Sequence, residues 1–419
     1  MFTTIRNAWK TPELRKKILF TLFVLLLYRL GNAVPVPFVN VKMLSYYFET
    51  ELRQTILGLY DMMSGSAFSQ ATVFALGIQP YINASIIIEL LCIAIPALER
   101  LQKEGGEEGR KTINNITRYS TVGLGLLMGF AYFVMLKNYG VLTDTSFLAG
   151  LVVVLSFTAG ASLVMWMGEQ ITEFGIGNGI SMILFANIIA RLPVLGQQAV
   201  SNVWYIATLI IVCILALIVF IVFVTDAERR IPVQYAKRVI GRKVYGGQNS
   251  HLPIKVNMSG VLPIIFAQSI TSLPATVCAF IGKTNGWWYR NVFDSKTVVY
   301  AICYFILIIA FSYFYAAVQY NPVELSNNIQ NQGGFIPGFR PGRPTADFIA
   351  KVITKVTLFG AIYLAVVALL PIILGDVFPN AQGLSIGGTS IIIVVGVALE
   401  TVQALEAQML MRHYKGFLD

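Results

Sequence analysis

The sequence predicts an all-α membrane protein that crosses a bilayer ten times. Of its 419 residues, 56% are hydrophobic and only 12% are charged, whereas about a quarter of the residues in a soluble domain are charged. The mean hydropathy is +0.68, and apolar runs long enough to cross a hydrocarbon core of about 30 Å recur along the whole chain. Lipid is therefore the expected solvent for most of the surface.

Ten membrane segments are placed by hydropathy. The fifth is short for a span and follows a glycine-rich turn at 175–179. A stretch at 57–70 is too apolar for a loop and too rich in Ser and Gly for a full helix. The first segment imitates a secretory signal, but with nine later spans a retained helix is expected. The segments are Ile18–Val34, Val73–Ile95, Tyr119–Leu136, Phe147–Gly168, Gly177–Ala190, Val203–Val224, Val261–Ile281, Val298–Val318, Val356–Gly375 and Ile386–Leu405.

Lys and Arg are divided unevenly between the two sides of the predicted membrane. With ten spans both termini share one side, which holds 23 of the 31 Lys and Arg residues, against 7 on the other side. Cytoplasmic loops carry the excess of these residues. Both termini and two large basic loops, at 225–257 and 319–355, are therefore predicted to be cytoplasmic.

The two large loops contain local patterns of their own. In the first, Ile231, Val233 and Tyr235 alternate with polar or small residues, which predicts a short hairpin. In the second, prolines and glycines between Phe335 and Gly342 predict a compact turn with Arg340 at its tip. Topology and anionic lipid also explain basic loops, so charge alone leaves a docking role open.

Ten spans divide into two sets of five. An odd number of spans per half inverts one half relative to the other if both share a fold, and inverted halves place a pathway at their interface. The predicted organisation is a cytoplasmic segment 1–17, an N-terminal half 18–200, a C-terminal half 201–408 and a cytoplasmic tail 409–419.

Motifs for nucleotide or metal chemistry are incomplete. The Gly282-Lys283-Thr284 triplet lacks the earlier glycine of a P-loop, and the turn at 175–179 has neither a preceding strand nor the glycine spacing of a dinucleotide site. Four cysteines lie inside apolar runs and only two histidines are present, so no disulfide framework, metal or cofactor is expected. Any ATP-driven work must come from a partner.

Three charged residues fall inside the predicted segments, where burial is costly and function is the default hypothesis. Arg29 lies near the outer end of segment 1 and is interpreted mainly as snorkelling to the interface. Glu89 and Glu400 lie toward the cytoplasmic ends of segments 2 and 10. For these two, contact with a neighbouring helix and a position at a pore mouth are equally good interpretations.

Two long motifs resemble the signatures of the SecY family and occur in that family's order. The first, at 72–91, is TVFALGIQPYINASIIIELL, and the second, at 166–184, is WMGEQITEFGIGNGISMIL. The turn around Arg340 is similar to the family's essential cytoplasmic loop. Span count, predicted orientation and loop sizes agree with the resemblance over essentially the whole chain.

The resemblance implies an hourglass channel of two inverted, pseudo-symmetric five-helix halves in a bacterial plasma membrane. Such a channel moves unfolded secretory polypeptides across the membrane and has no enzymatic activity of its own. It also releases membrane segments sideways through a lateral gate, with segments 2 and 3 on one side and 7 and 8 on the other. A passive pore of this kind takes its energy from a partner.

The resemblance also assigns roles to residues at the waist of the channel. A ring of aliphatic side chains, here called the aliphatic ring, falls on Ile82, Ile86, Leu184, Ile188, Ile265 and Ile393, with Leu184 a conservative departure. Apolar constrictions gate by dewetting, and Ile82 and Ile86 share a helix face. Without the resemblance, such residues are ordinarily interpreted as packing against lipid or neighbouring helices.

The irregular stretch at 57–70, here called the plug segment, resembles the family's plug, a short half-helix that folds back from the external side and closes the funnel. Its small residues permit close packing and easy release; a poorly formed external loop is the alternative. The plug residues expected to matter are Tyr60, Met63, Ser64, Gly65, Ser66, Ala67 and Phe68.

Partners follow from the same resemblance. Small membrane subunits similar to SecE and SecG, the SecA ATPase, the ribosome, a signal peptide and the unfolded substrate are expected, besides lipid, but no DNA. The residues expected to dock the motor or ribosome are Arg229, Arg230, Lys237, Arg238, Arg242, Lys243 and Arg340. Contact with ribosomal RNA phosphates is expected to weaken with salt.

Two rival functions remain open from the sequence. A secondary transporter with inverted repeats for a small solute predicts polar side chains converging near the midplane on broken helices. The matched waist positions are aliphatic instead. An insertase without a continuous pore is the weaker rival.

Overall fold

The computed structural model describes residues 2–52, 56–200, 204–235, 238–240, 243–245, 249–258, 260–281, 286–287, 291–292, 297–377 and 388–415. Most of this part of the chain is helical. The helices are α1 Phe2–Lys10, α2 Pro12–Gly31, α3 Val41–Tyr47, α4 Ile56–Met63, α5 Gln79–Ala94, α6 Pro96–Lys103, α7 Gly106–Asn138, α8 Phe147–Phe174, α9 Gly179–Val200, α10 Trp204–Asp226, α11 Leu262–Ile281, α12 Val298–Gln319, α13 Pro322–Asn331, α14 Arg343–Val377 and α15 Gly388–Lys415.

A helix occupies each of the ten predicted membrane segments, so the all-α polytopic prediction is confirmed. These helices are α2, α5, α7 to α12, α14 and α15. Within the described residues, five helical stretches are long and apolar enough to cross a membrane, and the pair α5 and α6, bent by 106°, makes a sixth. Shorter apolar stretches lie in α9, α10 and α11.

The helices pack as two groups that meet at the centre. In the N-terminal half α7 packs against both α5 and α8, and α8 packs against α2 and α9; in the C-terminal half α14 packs against α12 and α15. The groups touch where α11 meets α5 and α7, and where α15 meets α9. A core cluster of buried apolar side chains runs across this junction.

Three boundaries differ from the sequence predictions. The fifth segment is not short, because α9 continues beyond Ala190 to Val200. The plug segment is helical only as far as Met63 and continues as turns. The second large loop is shorter than predicted, because α14 begins at Arg343, 13 residues before Val356 by sequence numbering.

The second large loop also contains an unpredicted helix, α13. Pro322 occupies its first turn, where a missing N–H costs nothing, and the Asn321 side chain accepts a hydrogen bond from the Val323 N–H at 3.1 Å. Hydropathy overlooks α13 because the helix has only 10 residues and most of them are polar.

The predicted cytoplasmic hairpin is present and gains a third strand. Strand β1, Glu228–Tyr235, pairs antiparallel with β4, Asn249–Lys255, while β2, Arg238–Ile240, pairs with β3, Lys243–Tyr245. Strand β5, Gly334–Phe335, comes from the other large loop and pairs with the opposite edge of β1. The two large loops therefore form one folded unit, here called the loop unit.

The alternation read from the sequence corresponds to burial in this sheet. Ile231 and Val233 are each 3% exposed, and they pack with Ile336 beside the turn that carries Arg340. Side chains of α13 and the first turns of α14 complete this cluster. An apolar core thus fixes the turn relative to the hairpin.

Candidate functional site

The six residues of the aliphatic ring lie together at the junction of the two halves. They come from four helices: Ile82 and Ile86 from α5, Leu184 and Ile188 from α9, Ile265 from α11 and Ile393 from α15. All belong to the one central cluster, and none is more than 3% exposed. All six predicted ring residues are therefore buried in the core cluster that spans the junction of the two halves.

A layer of polar side chains, which sequence reasoning missed, adjoins the ring. Each member lies three residues along its helix from a ring residue, on the same face. Residues 79 and 390 precede their ring neighbours, while 187 and 268 follow theirs. This polar layer consists of Gln79, Asn187, Gln268 and Ser390, all at most 6% exposed. The spacing from the ring positions was the signal that could have found it.

The polar layer binds the end of α4. Gln79 Nε2 donates to Met63 Sδ at 3.1 Å, and Ser390 Oγ donates to Met62 Sδ at 3.4 Å. Asn187 Nδ2 donates to the Met63 carbonyl oxygen at 2.7 Å. A thioether is a weak acceptor, so these contacts position the plug segment beneath the ring without a strong bond at either sulfur.

The rest of the plug segment packs against the N-terminal half. Tyr60, Ala67 and Phe68 are at most 5% exposed. The Phe68 ring stacks on Tyr132 of α7, with centroids 4.2 Å apart, and the Tyr132 hydroxyl donates to the Phe68 carbonyl. The segment is therefore well packed, unlike a poorly formed external loop.

Arg29 contacts the plug segment, a partner that its interpretation as a snorkelling residue did not include. Its Nη1 donates to the Gly65 carbonyl oxygen at 3.2 Å. One turn further on, Asn32 Nδ2 donates to the Ser64 carbonyl oxygen at 3.3 Å. The backbone carbonyls of the turn thus supply the partners that hydrocarbon could not.

Glu89 makes a helix contact between the two halves. The Tyr315 hydroxyl of α12 lies 3.3 Å from its Oε2 and 3.4 Å from its Oε1. Phe266 of α11 packs on Tyr315, with ring centroids 5.5 Å apart. Of the two interpretations left open by the sequence, the structure supports contact with a neighbouring helix.

Glu400 also makes a helix contact. Its carboxylate on α15 lies beside Gly260 and Val261, just before α11 begins. Gly260 has φ of +63°, and a Cβ there would collide with the same carboxylate. The side chain therefore serves α11 as an N-terminal cap supplied by another helix.

The described docking residues predicted from the sequence lie on the folded unit formed by the two large loops. Arg229 and Arg230 are exposed on β1, and Arg230 Nε pairs with Glu228 Oε1 at 2.6 Å. Arg340 is exposed in the turn between β5 and α14, where its carbonyl accepts the Thr345 hydroxyl. The backbone of Arg238 and Lys243 is in β2 and β3, whereas Lys237 and Arg242 lie outside the described residues.

Metal chemistry finds no support in the described part of the chain. No group of three or more His, Cys, Asp or Glu side chains that could hold an ion occurs there. The ring and the polar layer contain amides, hydroxyls and aliphatic groups. These side chains can exclude water and form hydrogen bonds, but the set contains no nucleophile paired with a base.

Comparisons with known proteins agree on one family. The SecY family model matches residues 72–402. The chain is 42% identical to the protein translocase subunit SecY of Streptomyces scabiei over 437 residues and to that of Mycobacterium bovis over 441 residues, each covering 100% of both chains.

Solved structures show the same fold at lower identity. A structure described as a protein-conducting channel has a TM-score of 0.64 and 18% identity, covering 94% of this chain and 92% of that one. With the same coverage, a SecY structure whose plug domain is described as stabilising the closed state scores 0.62 at 17% identity. Sec61 in the canine ribosome–channel complex scores 0.60 at 16% identity, also with that coverage.

Proposed function

The chain belongs to the SecY family of protein translocase subunits and forms a protein-conducting channel, and from that premise we propose that unfolded polypeptide crosses the membrane through the aliphatic ring. One observation carries the proposal. Six aliphatic side chains from four helices, drawn from both halves of the chain, meet in one buried cluster. They occupy the junction where a pathway between inverted halves is expected.

The chemistry of the ring suits a substrate of any sequence. Aliphatic side chains offer no hydrogen bonds that favour one passing residue over another. When no substrate is present, a narrow apolar constriction excludes water and thereby blocks ions. The plug segment lies against the polar layer on one side of the ring, which supports its role as a second seal.

Sideways release is proposed to occur between α5 and α7 on one side and α11 and α12 on the other. In the structure α11 lies against both α5 and α7. Glu89 and Tyr315 form a polar contact across the same boundary. Separation of these helices would open a path from the ring to lipid for a signal peptide or a membrane segment.

Energy is proposed to come from a cytoplasmic partner, a SecA-type ATPase or a translating ribosome. Support comes from the exposed arginines of the loop unit. The turn that carries Arg340 is held in place by Ile336, which is buried in the apolar core of the unit. Sec61 and yeast Ssh1 are described in complexes with ribosomes. The ribosome presents RNA phosphates, for which exposed Arg229, Arg230 and Arg340 are suitable ligands.

The remaining assignments complete this proposal. The termini and both large loops face the cytoplasm of a bacterial cell, in keeping with the distribution of Lys and Arg. Small subunits similar to SecE and SecG would cover part of the outward apolar surface. That surface includes the exposed side chains of α2, namely Leu19, Leu22, Phe23, Leu26 and Leu30.

A small-solute transporter is less well supported. It requires polar groups converging on a substrate at the midplane. Here the central position is aliphatic, and the adjoining polar layer is bonded to Met62 and Met63 of the same chain. No observation favours a solute over this internal occupant.

The pathway can be tested by crosslinking from neighbouring positions of α5. A secretory chain is stalled during translocation, and a single cysteine replaces Ile86, which is 3% exposed, or Ile87, which is 43% exposed. The two positions differ by about 100° around the helix. Ile86→Cys should crosslink the stalled chain and Ile87→Cys should not. The pathway is wrong if the pattern is reversed or if neither position crosslinks.

A further inference from the structure

The turn that follows α4 exposes three successive carbonyl groups, at Met63, Ser64 and Gly65. Preceding carbonyls of the helix are used within the turn: Tyr60 O accepts the Ser64 N–H at 2.9 Å, and Met62 O accepts the Gly65 N–H at 3.2 Å. The last carbonyls of a helix have no partner of their own within it. What binds the next three therefore decides how the plug segment is held.

Each of these three carbonyls accepts a hydrogen bond from a different side chain outside the plug segment. Asn187 of α9 donates to Met63 O at 2.7 Å. At the end of α2, Asn32 donates to Ser64 O at 3.3 Å and Arg29 to Gly65 O at 3.2 Å. Three consecutive acceptors are thus held from two different helices.

The two helices are also tied to each other. Asn187 Nδ2 lies 2.9 Å from the Tyr28 hydroxyl of α2, in addition to its bond to the plug segment. Tyr28 and Asn187 are each 1% exposed. Asn187 is therefore held by Tyr28 as well as by the turn, so little of its side-chain freedom is lost on binding.

The backbone of the turn fits these donors closely. Gly65 and Ser66 both have left-handed φ angles, 69° and 72°. A Cβ on Gly65 would lie 2.8 Å from Asn187 Oδ1 and 2.9 Å from Arg29 Nη1. A non-glycine residue such as Ser66 keeps this conformation only where its surroundings impose it.

We propose that Arg29, Asn32 and Asn187 form a latch that holds the plug segment in its closed position. The proposal rests on the assignment of residues 57–70 as the plug. Arg29 is the charged donor of the three, and it brings its charge to a helix C-terminal end, where a cation is favourable. The three side chains are positioning residues for the seal and do not contact the substrate.

The latch is connected to the aliphatic ring through α9. Asn187 lies next to Ile188 and three residues from Leu184, which belong to the aliphatic ring. A movement of α9 that widens the ring therefore also displaces the Asn187 amide from the Met63 carbonyl oxygen.

The test uses the full-length chain, with the subunits that copurify, in liposomes, and it measures iodide efflux through the idle channel. Arg29→Met keeps the length of the side chain but removes its donors. Leu30→Met, at a position that is 60% exposed, is the matched control. Arg29→Met should raise the efflux about tenfold, the effect of one charge-assisted hydrogen bond, whereas Leu30→Met should leave it unchanged and Arg29→Lys should restore part of the seal.

A second arm separates a latch from a general structural role. Deletion of residues 57–70 should itself raise the efflux, and Arg29→Met should add nothing in that background. The latch is overturned if Arg29→Met leaks no more than Leu30→Met, or if it adds the same leak without the plug segment. If the deletion fails to raise the efflux, the plug assignment fails and the latch with it.

A third arm covers the case in which Arg29→Met does not assemble. Asn32→Ala removes a different donor, and Gly65→Ala displaces the turn from Arg29 and Asn187. Each should leak more than Leu30→Met, and each effect should vanish when residues 57–70 are deleted. A tight seal in both variants would contradict the latch.

Discussion

The Tyr315 hydroxyl lies 3.3 Å from the nearer carboxyl oxygen of Glu89 and joins α12 of the C-terminal half to α5 of the N-terminal half. Both side chains are only partly buried. The bond crosses the boundary at which the lateral gate is proposed to open. It therefore stabilises the arrangement in which the halves touch.

Tyr315→Phe should favour the open gate. A hydrogen bond to a charged group contributes about 1.5–3 kcal/mol when buried. Partial exposure reduces this contribution to about 1 kcal/mol, so loss of the bond should raise the population of the open gate about fivefold. The measurement is the rate of crosslinking of a signal peptide to a cysteine at the gate. Tyr313→Phe is the matched control, because its hydroxyl donates to Thr354 O within the C-terminal half. Equal rates in the two variants would remove Tyr315 from the gate.

Gly179→Ala should destabilise the channel. A Cβ there would collide with the Gly168 carbonyl, where the chain reverses between α8 and α9. Overpacking against backbone costs about 2–3 kcal/mol. Thermal unfolding of the purified complex measures the loss. Gly123→Ala in α7 is the control: no atom lies within 4 Å of its Cβ position, and alanine favours helix by up to about 1 kcal/mol. A stable Gly179→Ala variant would contradict the tight turn.

The sequence predicted helix positions well and the direction of side chains less well. Hydropathy found a segment for each membrane helix, because lipid demands long apolar runs. The Ile82 and Ile86 pair was recognisable from helical spacing together with the family motif. Long-range geometry was not: nothing near Arg29 in sequence indicates that Gly65 will be its partner.

Long-range contacts were also hidden from the sequence in the loop unit. Alternation predicted β1, but pairing with β5 joins Gln234 to Phe335 across about a hundred residues, and a two-residue strand has no pattern of its own. The polar layer was overlooked for another reason. Its members, Gln79 among them, look like isolated polar residues until the ring positions three residues away are known.

Glu400→Ala should weaken the start of α11. The lost cap contributes about 1 kcal/mol, while Glu400→Gln keeps an acceptor for the Val261 N–H and should lose less. Thermal unfolding of the two variants under identical conditions provides the comparison. If glutamine is as harmful as alanine, charge rather than the hydrogen bond stabilises this end of the helix.

Arg340→Ala should weaken docking of the motor or ribosome without opening the idle channel. Arg340 is exposed at the turn and belongs to neither the aliphatic ring nor the plug segment. With ribosomes, the slope of log affinity against log salt should fall by about one. Arg343→Ala, three residues further on and also exposed, is the control. Equal losses in both variants would indicate general electrostatic attraction instead of a specific contact.

The most direct test of the central claim asks whether one translocating residue touches both halves of the ring. A secretory chain carrying a single photoreactive residue is stalled at stepwise lengths, and adducts are mapped to Ile86 of α5 and to Ile265 of α11. The account predicts one narrow range of lengths at which the same residue reaches both positions. Adducts confined to one half at every length, or only to lipid, would contradict a polypeptide path through the aliphatic ring.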